Sequence, residues 1–388
     1  MKVLLFLKVF LLSFGVNLLL ILAMPAWAQS SSQNPLQVEE FNDPLLPQSP
    51  VNRPLSPLER FNLEKQLAEL NRRARVEYEQ GNVEEAFNIW YRELRLWQKL
   101  EITKEVEALE RVGEIAWRES RTEETRNIRE RLKEIETTAK DNNNRELLQD
   151  VAETYETMRI NDRAIAVYNF LREDTDNPRP LLEKIASLYE SRFQDEQAAQ
   201  TYETLLEMAE AENHSTAEIR YLRALNNLYE QGNNTEKGIV IKERLVRKYQ
   251  NQNHEQALSS LLLALGEDYQ KMGEFNSASE TYQQAYRNAW SQNQYVIASE
   301  ALENLAQLYR QDNSLQTALN IYEQLVIVQE RATDHYGLMI TYDNMGEIYR
   351  ERDRDQQALA AFENALELAR SLNYQEDYFQ AKIQNLKS

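Results

Sequence analysis

Glutamates recur at helical spacing in one part of this chain: Glu107, Glu110 and Glu114, then Glu146, Glu153 and Glu156, then Glu183 and Glu190. Residues three, four or seven apart share one face of a helix, so each set would present its carboxylates together. Carboxylate oxygens at that density suit two chemistries. They ligate hard divalent cations such as Mn2+, Ca2+ or Mg2+, for which Glu110, Glu114, Glu153 and Glu156 are the candidate ligands. They also attract the Lys or Arg side chains of a protein or peptide. A plain reading competes with both, because a chain with 63 acidic residues puts Glu on any solvated helix face.

Other chemistries are poorly supplied. The chain has three His (His214, His254 and His335) and no Cys, which removes disulfides, thiolate metal sites and cysteine nucleophiles. No Gly-rich phosphate loop, paired-His motif or Ser-His-Asp arrangement stands out, so no catalytic residues are assigned. His214 and His254 read as solvated loop residues. A net charge of −19 argues against nucleic acid, whose phosphates need clustered Lys and Arg.

The elements that carry the glutamates are helical by composition. Only 9 Gly and 9 Pro in 388 residues are too few for a sheet-rich fold. Residues 1–28 stand apart: Lys2 and Lys8, an apolar run from Val9 to Ala23, then Ala26-Trp27-Ala28. This reads as a secretory signal cleaved after Ala28, which places the protein in the periplasm or otherwise outside the cytosol. An uncleaved anchor is the alternative. Without one, contact with a membrane runs only through a membrane-protein partner. Residues 29–57 hold Pro35, Pro44, Pro47, Pro50, Pro54 and Pro57 and read as a flexible tether. The capping box Ser56-Pro57-Leu58-Glu59 then opens the folded part.

From there the chain repeats. A small or apolar-flanked position recurs at Ala74, Gly113, Ala152, Ala186, Asn226, Gly266, Ala306 and Gly346, at steps of 34 to 40 residues. Tyr155, Tyr189, Tyr229, Tyr269, Tyr309 and Tyr349 follow three residues later. A second small position and then an aromatic come next, as in Ala278 and Tyr282. Such a period is that of stacked antiparallel helix pairs, none of which can bury its apolar face alone. The small residues are expected to meet where the helices of a pair cross, with the aromatics filling the space between pairs.

Leu265, Gly266, Tyr269, Ala278, Tyr282 and Ala285 resemble the signature of the tetratricopeptide repeat (TPR) family, and the likeness runs from Leu58 to Asn373. It implies an all-α, right-handed solenoid of about eight repeats over residues 58–373, with residues 374–388 as a capping helix and tail. Steps near 40 rather than 34 imply longer helices. Repeat two departs from the pattern at Thr125 and Arg129, and repeat five at Gly238 and Lys242.

The resemblance also implies a concave groove lined by the first helix of each pair. Carried over position by position, it places there Glu107, Glu110, Glu114 and Trp117, then Glu146, Glu153 and Glu156, then Glu183 and Glu190, then Arg220, Arg223 and Asn227. Trp117 would meet an apolar side chain of a partner. Only Arg223 and Asn227 match the family's clamp for acidic chaperone tails, so that use is not expected. The resulting reading is an exported, non-enzymatic scaffold that holds a partner segment, basic residues included, in its groove as an assembly or maturation factor. In layout the chain resembles the periplasmic processing-associated TPR proteins of cyanobacteria, which implies a role in photosystem II assembly and manganese supply. The alternatives are a protein that binds or delivers Mn2+ or Ca2+, and an architectural linker bound through its convex face.

Overall fold

A computed structural model describes residues 34–37, 42–47 and 53–387; the signal reading of residues 1–28 lies outside them. Among the described residues the structure is seventeen helices and no strand. They fall into pairs: α1 (Pro57–Glu79) with α2 (Val83–Trp97), α3 (Ile102–Arg118) with α4 (Thr122–Asp141), and α5 (Arg145–Thr157) with α6 (Asn161–Glu173). Then come α7 (Arg179–Glu190) with α8 (Asp195–Ala211), α9 (Ser215–Gln231) with α10 (Thr235–Asn251), and α11 (Glu255–Lys271) with α12 (Phe275–Ser291). The last pairs are α13 (Tyr295–Gln311) with α14 (Leu315–Ala332) and α15 (His335–Glu351) with α16 (Asp355–Leu372), followed by α17 (Glu376–Lys387).

The repeat step sets helix length. Where the step is 34, α5 and α6 have 13 residues each; where it is 40, α9 to α13 have 17 each. The chain divides into two compact units, Met1–Val167 and Tyr168–Ser388, and the division falls within α6, in the shortest repeat.

Glycine is scarce because asparagine does its work at the turns. Asn143, Asn213, Asn233, Asn253, Asn293, Asn313 and Asn373 all end helices at positive φ, beside Gly81 and Gly273. Asn tolerates the left-handed region better than other side chains, so a tight helix-to-helix turn needs no Gly. The Ser56 capping box is formed as expected, with Pro57 opening α1.

Packing corrects one expectation. A Cβ on Gly266 would lie 2.6 Å from the Tyr282 ring, and one on Gly346 would lie 2.5 Å from the Phe362 ring. In these two pairs the aromatic of the second helix therefore seats on the small residue of the first helix, whereas Tyr202 of α8 also reaches the next pair, 6.2 Å from the Tyr221 ring. The tyrosines three residues after the small position do reach between pairs. Tyr229 donates to Glu203 at 2.5 Å, Tyr269 donates to Glu243 at 2.5 Å, and Tyr155 donates to Glu136 at 3.2 Å. Repeat two, which has Arg129 in place of the aromatic, fills the socket over Gly113 with Met158 from the end of α5, only 1% exposed.

In the second unit one apolar core runs from Leu182 to Ala361, and α17 closes its end with Phe379 packed in the cluster of Met339 and Phe362. Lys382 of α17 pairs with Glu347 at 2.8 Å and Asp343 at 2.5 Å.

The flexible tether expected over residues 29–57 differs from what its described stretches do. Residues 34–37 and 42–47 lie against α2 and α4, with Asn34, Leu36 and Asp43 buried.

Candidate protein-binding surface on the first helices

In the first unit α3 and α5 pack side by side. Their acidic side chains share one field. Asp150, half-buried on α5, has its carboxyl pushed up by burial and then by Glu153, Glu146, Glu107 and Glu110. Asp150 is a member of the cluster that the groove positions of the repeat pattern passed over. Lys104 partly neutralises Glu107 at 2.6 Å, and Glu110 accepts from Thr157 Oγ1 at 2.8 Å. Gln149 donates to Glu153 at 3.3 Å, while Glu146 is exposed and Glu156 half-buried. Glu114 lies near Arg118, which is held against the Tyr78 phenol.

Glu110, Glu114, Glu153 and Glu156 are not gathered into a metal-ligand set. Among the described residues no group of three or more His, Asp or Glu side chains converges to hold an ion. The carboxylates are spread along two helices, and spacing on one face brings charges near each other without pointing them at one centre. Trp117 keeps 48% of its surface exposed, with the Arg159 guanidinium 5.7 Å from its ring centre. A half-open indole flanked by a cation suits an apolar or aromatic side chain.

In the second unit the candidate glutamates are spent locally. Glu183 accepts from Arg220 and from the Tyr221 hydroxyl, and Glu190 accepts from Tyr202 at 2.9 Å. Arg220 also covers the Tyr221 ring at 4.9 Å. Arg223 and Asn227 are exposed on α9. The first helices of successive pairs are joined by polar side chains: Arg220 to Glu183, Asn304 to Glu267 at 3.5 Å, and Arg310 to Asn344 at 3.3 Å. These links join α7 to α9, and α11 to α13 to α15.

Repeat five departs from the aromatic pattern. Lys242 occupies the aromatic position, yet it is only 2% exposed, with its ammonium 2.9 Å from Asp268 and 2.8 Å from Glu230. A thin aliphatic stem replaces a ring, and a cavity of about 270 Å³ opens beside it. Glu230, Glu267 and Lys271 line the cavity together with Lys242 and Asp268. The departure at Gly238 and Lys242 was visible in the sequence. The pairing of Lys242 with Asp268, 26 residues on, was not.

His214 and His254 are both exposed. From the loop before α9, His214 Nδ1 accepts from the Ala217 N–H at 3.3 Å and so caps that helix. His254 sits 3.0 Å from Gln252 and edge-on to Tyr249.

A family model described as tetratricopeptide repeat matches residues 297–371. No curated protein matches the chain. Among solved structures it is similar to BtubC (BKLC) from P. vanneervenii, at 16% identity over 55% of this chain and 90% of that one, with a TM-score of 0.38. It is also similar to the C-terminal part of a TPR repeat-containing protein from Cytophaga hutchinsonii, at 17% identity over 67% and 95%, with a TM-score of 0.39. A third similar structure is a putative kinesin light chain with nearly identical TPR-like repeats from Podosopora anserina, at 16% identity over 51% and 99%, with a TM-score of 0.37. Tetratricopeptide repeats point to a protein–protein interaction scaffold. Residues 297–371 are thus tetratricopeptide repeats, and the same kind of helix pair recurs through the described residues.

Proposed function

We propose that this protein is a non-enzymatic scaffold that holds an extended partner segment against the first-helix surfaces of its repeats. The observation that carries the reading is the cavity between the fifth and sixth pairs. Glu230, Glu267 and Lys271 line it, are exposed, and stand in the row of first-helix positions. An open cleft of that size, lined largely by exposed polar side chains, is a natural socket for a side chain delivered from outside. The acidic cluster around Asp150 and the half-open Trp117 supply, in the first unit, the charge and the apolar contact that a segment with basic and aromatic residues would use. The finer form of this reading is an exported assembly or maturation factor. It rests on the signal-like residues 1–28.

The test is a crosslinking pull-down from cells, run with the full chain and with Glu110, Glu114, Glu153 and Glu156 all changed to Gln. The proposal predicts a dominant protein captured by the wild type and reduced at least tenfold by the variant, whose helix content is unchanged. Equal capture by both would make the acidic face a solvated surface only.

A further inference from the structure

The leading segment contains the same four-residue turn twice. Asn34-Pro35-Leu36-Gln37 and Asp43-Pro44-Leu45-Leu46 each close on themselves. The first side chain's Oδ1 accepts from the N–H two residues on, at 3.0 Å for Asn34 and 2.9 Å for Asp43. Its carbonyl accepts from the N–H three residues on, at 2.9 Å and 3.0 Å. Proline fixes φ at the second position, so the turn is formed before it binds and loses little entropy on docking.

Each turn uses the other atoms of its Asn or Asp to reach a second helix of the repeats. Asn34 Nδ2 donates to the Asn127 carbonyl at 3.0 Å and to Glu130 at 3.1 Å, both on α4. Asp43 is held by the Arg92 guanidinium of α2 through two bonds, at 2.7 Å and 3.0 Å. That contact, against the opposing effect of burial, holds its carboxyl below the usual range. Leu36 is 2% exposed, and Gln98, which follows the last residue of α2, donates to its carbonyl at 3.1 Å. Gln37 donates to Glu134 of α4 at 2.6 Å. Two turns of one kind, both read by side chains on neighbouring helices, are more than a chain end resting on a surface.

We propose that the surface formed by α2 and α4 is a recognition site for Asx-Pro-Leu turns, filled in cis by residues 34–37 and 42–47, and that a partner segment carrying the same turn competes for it. The site lies on the second helices and is separate from the first-helix surface proposed to bind a partner above.

The experiment uses the full chain, its Asn34→Ala/Asp43→Ala variant, and a fluorescent peptide with the sequence of residues 34–47. Both substitutions lie outside every helix, and an Arg92→Ala variant weakens the contact from the other side. In the wild type the amides of Leu36, Gln37, Leu45 and Leu46 are expected to exchange at least tenfold more slowly than in the double variant. The peptide should bind the double variant at least tenfold more tightly than the wild type, and should lose that binding when its own Asn and Asp are Ala. It should also bind Arg92→Ala more weakly than the double variant. Unprotected amides in the wild type would overturn the proposal. So would a peptide that binds neither protein, or both equally.

Discussion

Tyr282→Ala should destabilise the second unit by about 3–5 kcal/mol, the range for deleting a buried aromatic side chain. Tyr282 is fully buried, its ring rests on Gly266, and its hydroxyl donates to Gln270 at 2.7 Å. The substitution opens a cavity at the centre of the α11–α12 pair and leaves Gln270 without that donor. In a stack of repeats each pair is held by its neighbours, so the loss should appear first as faster hydrogen exchange in α11 and α12. A second substitution checks the cause. Gly266→Ala in the wild type should destabilise, because its Cβ would fall 2.6 Å from the ring. In the Tyr282→Ala background the ring is gone, and Ala should stabilise the helix by about 1 kcal/mol relative to Gly. The sign of Gly266→Ala should therefore reverse in urea denaturation; additive effects would mean that the two residues do not share a socket.

The second large effect is expected at Lys242. Lys242→Ala removes one member of a buried ion pair and should destabilise by about 3–5 kcal/mol, because Asp268 would stay buried without that partner. Lys271, at 3.4 Å from Asp268 and exposed, compensates for only part of this. Changing both residues, Lys242→Tyr with Asp268→Asn, restores the aromatic of the other repeats and should recover most of the loss. The pH dependence follows from the same contacts. Burial works against the ammonium, yet the hydrogen bonds to Asp268 and Glu230 hold its pKa above the ordinary lysine value. A raised pKa in the folded state means that this stabilisation is complete below the unfolded lysine value. It disappears only as pH rises through the raised one. Wild type and Lys242→Ala should therefore differ fully at neutral pH and converge only in strong alkali. A constant difference across that range would separate the effect from the ammonium charge.

The repeats were legible because small and aromatic residues at fixed offsets leave little choice but stacked helix pairs, and helix lengths followed from the step. The turns were less legible. Asn233 or Asn293 can sit in many local structures, and only the fixed distance to the next helix marks them as left-handed closers. The docking of residues 34–37 and 42–47 was hidden because Pro-rich polar sequence also suits a tether, and the partners Arg92 of Asp43 and Asn127 of Asn34 lie 49 and 93 residues away. The candidate surface was legible as charge but not as geometry. Glu183 and Glu190 looked equivalent to Glu110 and Glu153, but Arg220, Tyr221 and Tyr202 take them up. Asp150 lies off the positions that the repeat pattern marks. Lys242 looked like a weakness in the fifth repeat, but Glu230 and Asp268 hold its ammonium beside a cavity.

The most direct test of the scaffold reading is site-resolved crosslinking in cells. A photoreactive residue would be placed at Asn227 or Glu267 on the first helices, and at Glu207 or Glu280 on the second helices. The account predicts one dominant protein adduct from Asn227 and Glu267, with none from Glu207 or Glu280. Adducts confined to Glu207 and Glu280 would contradict it and move the binding surface to the second helices.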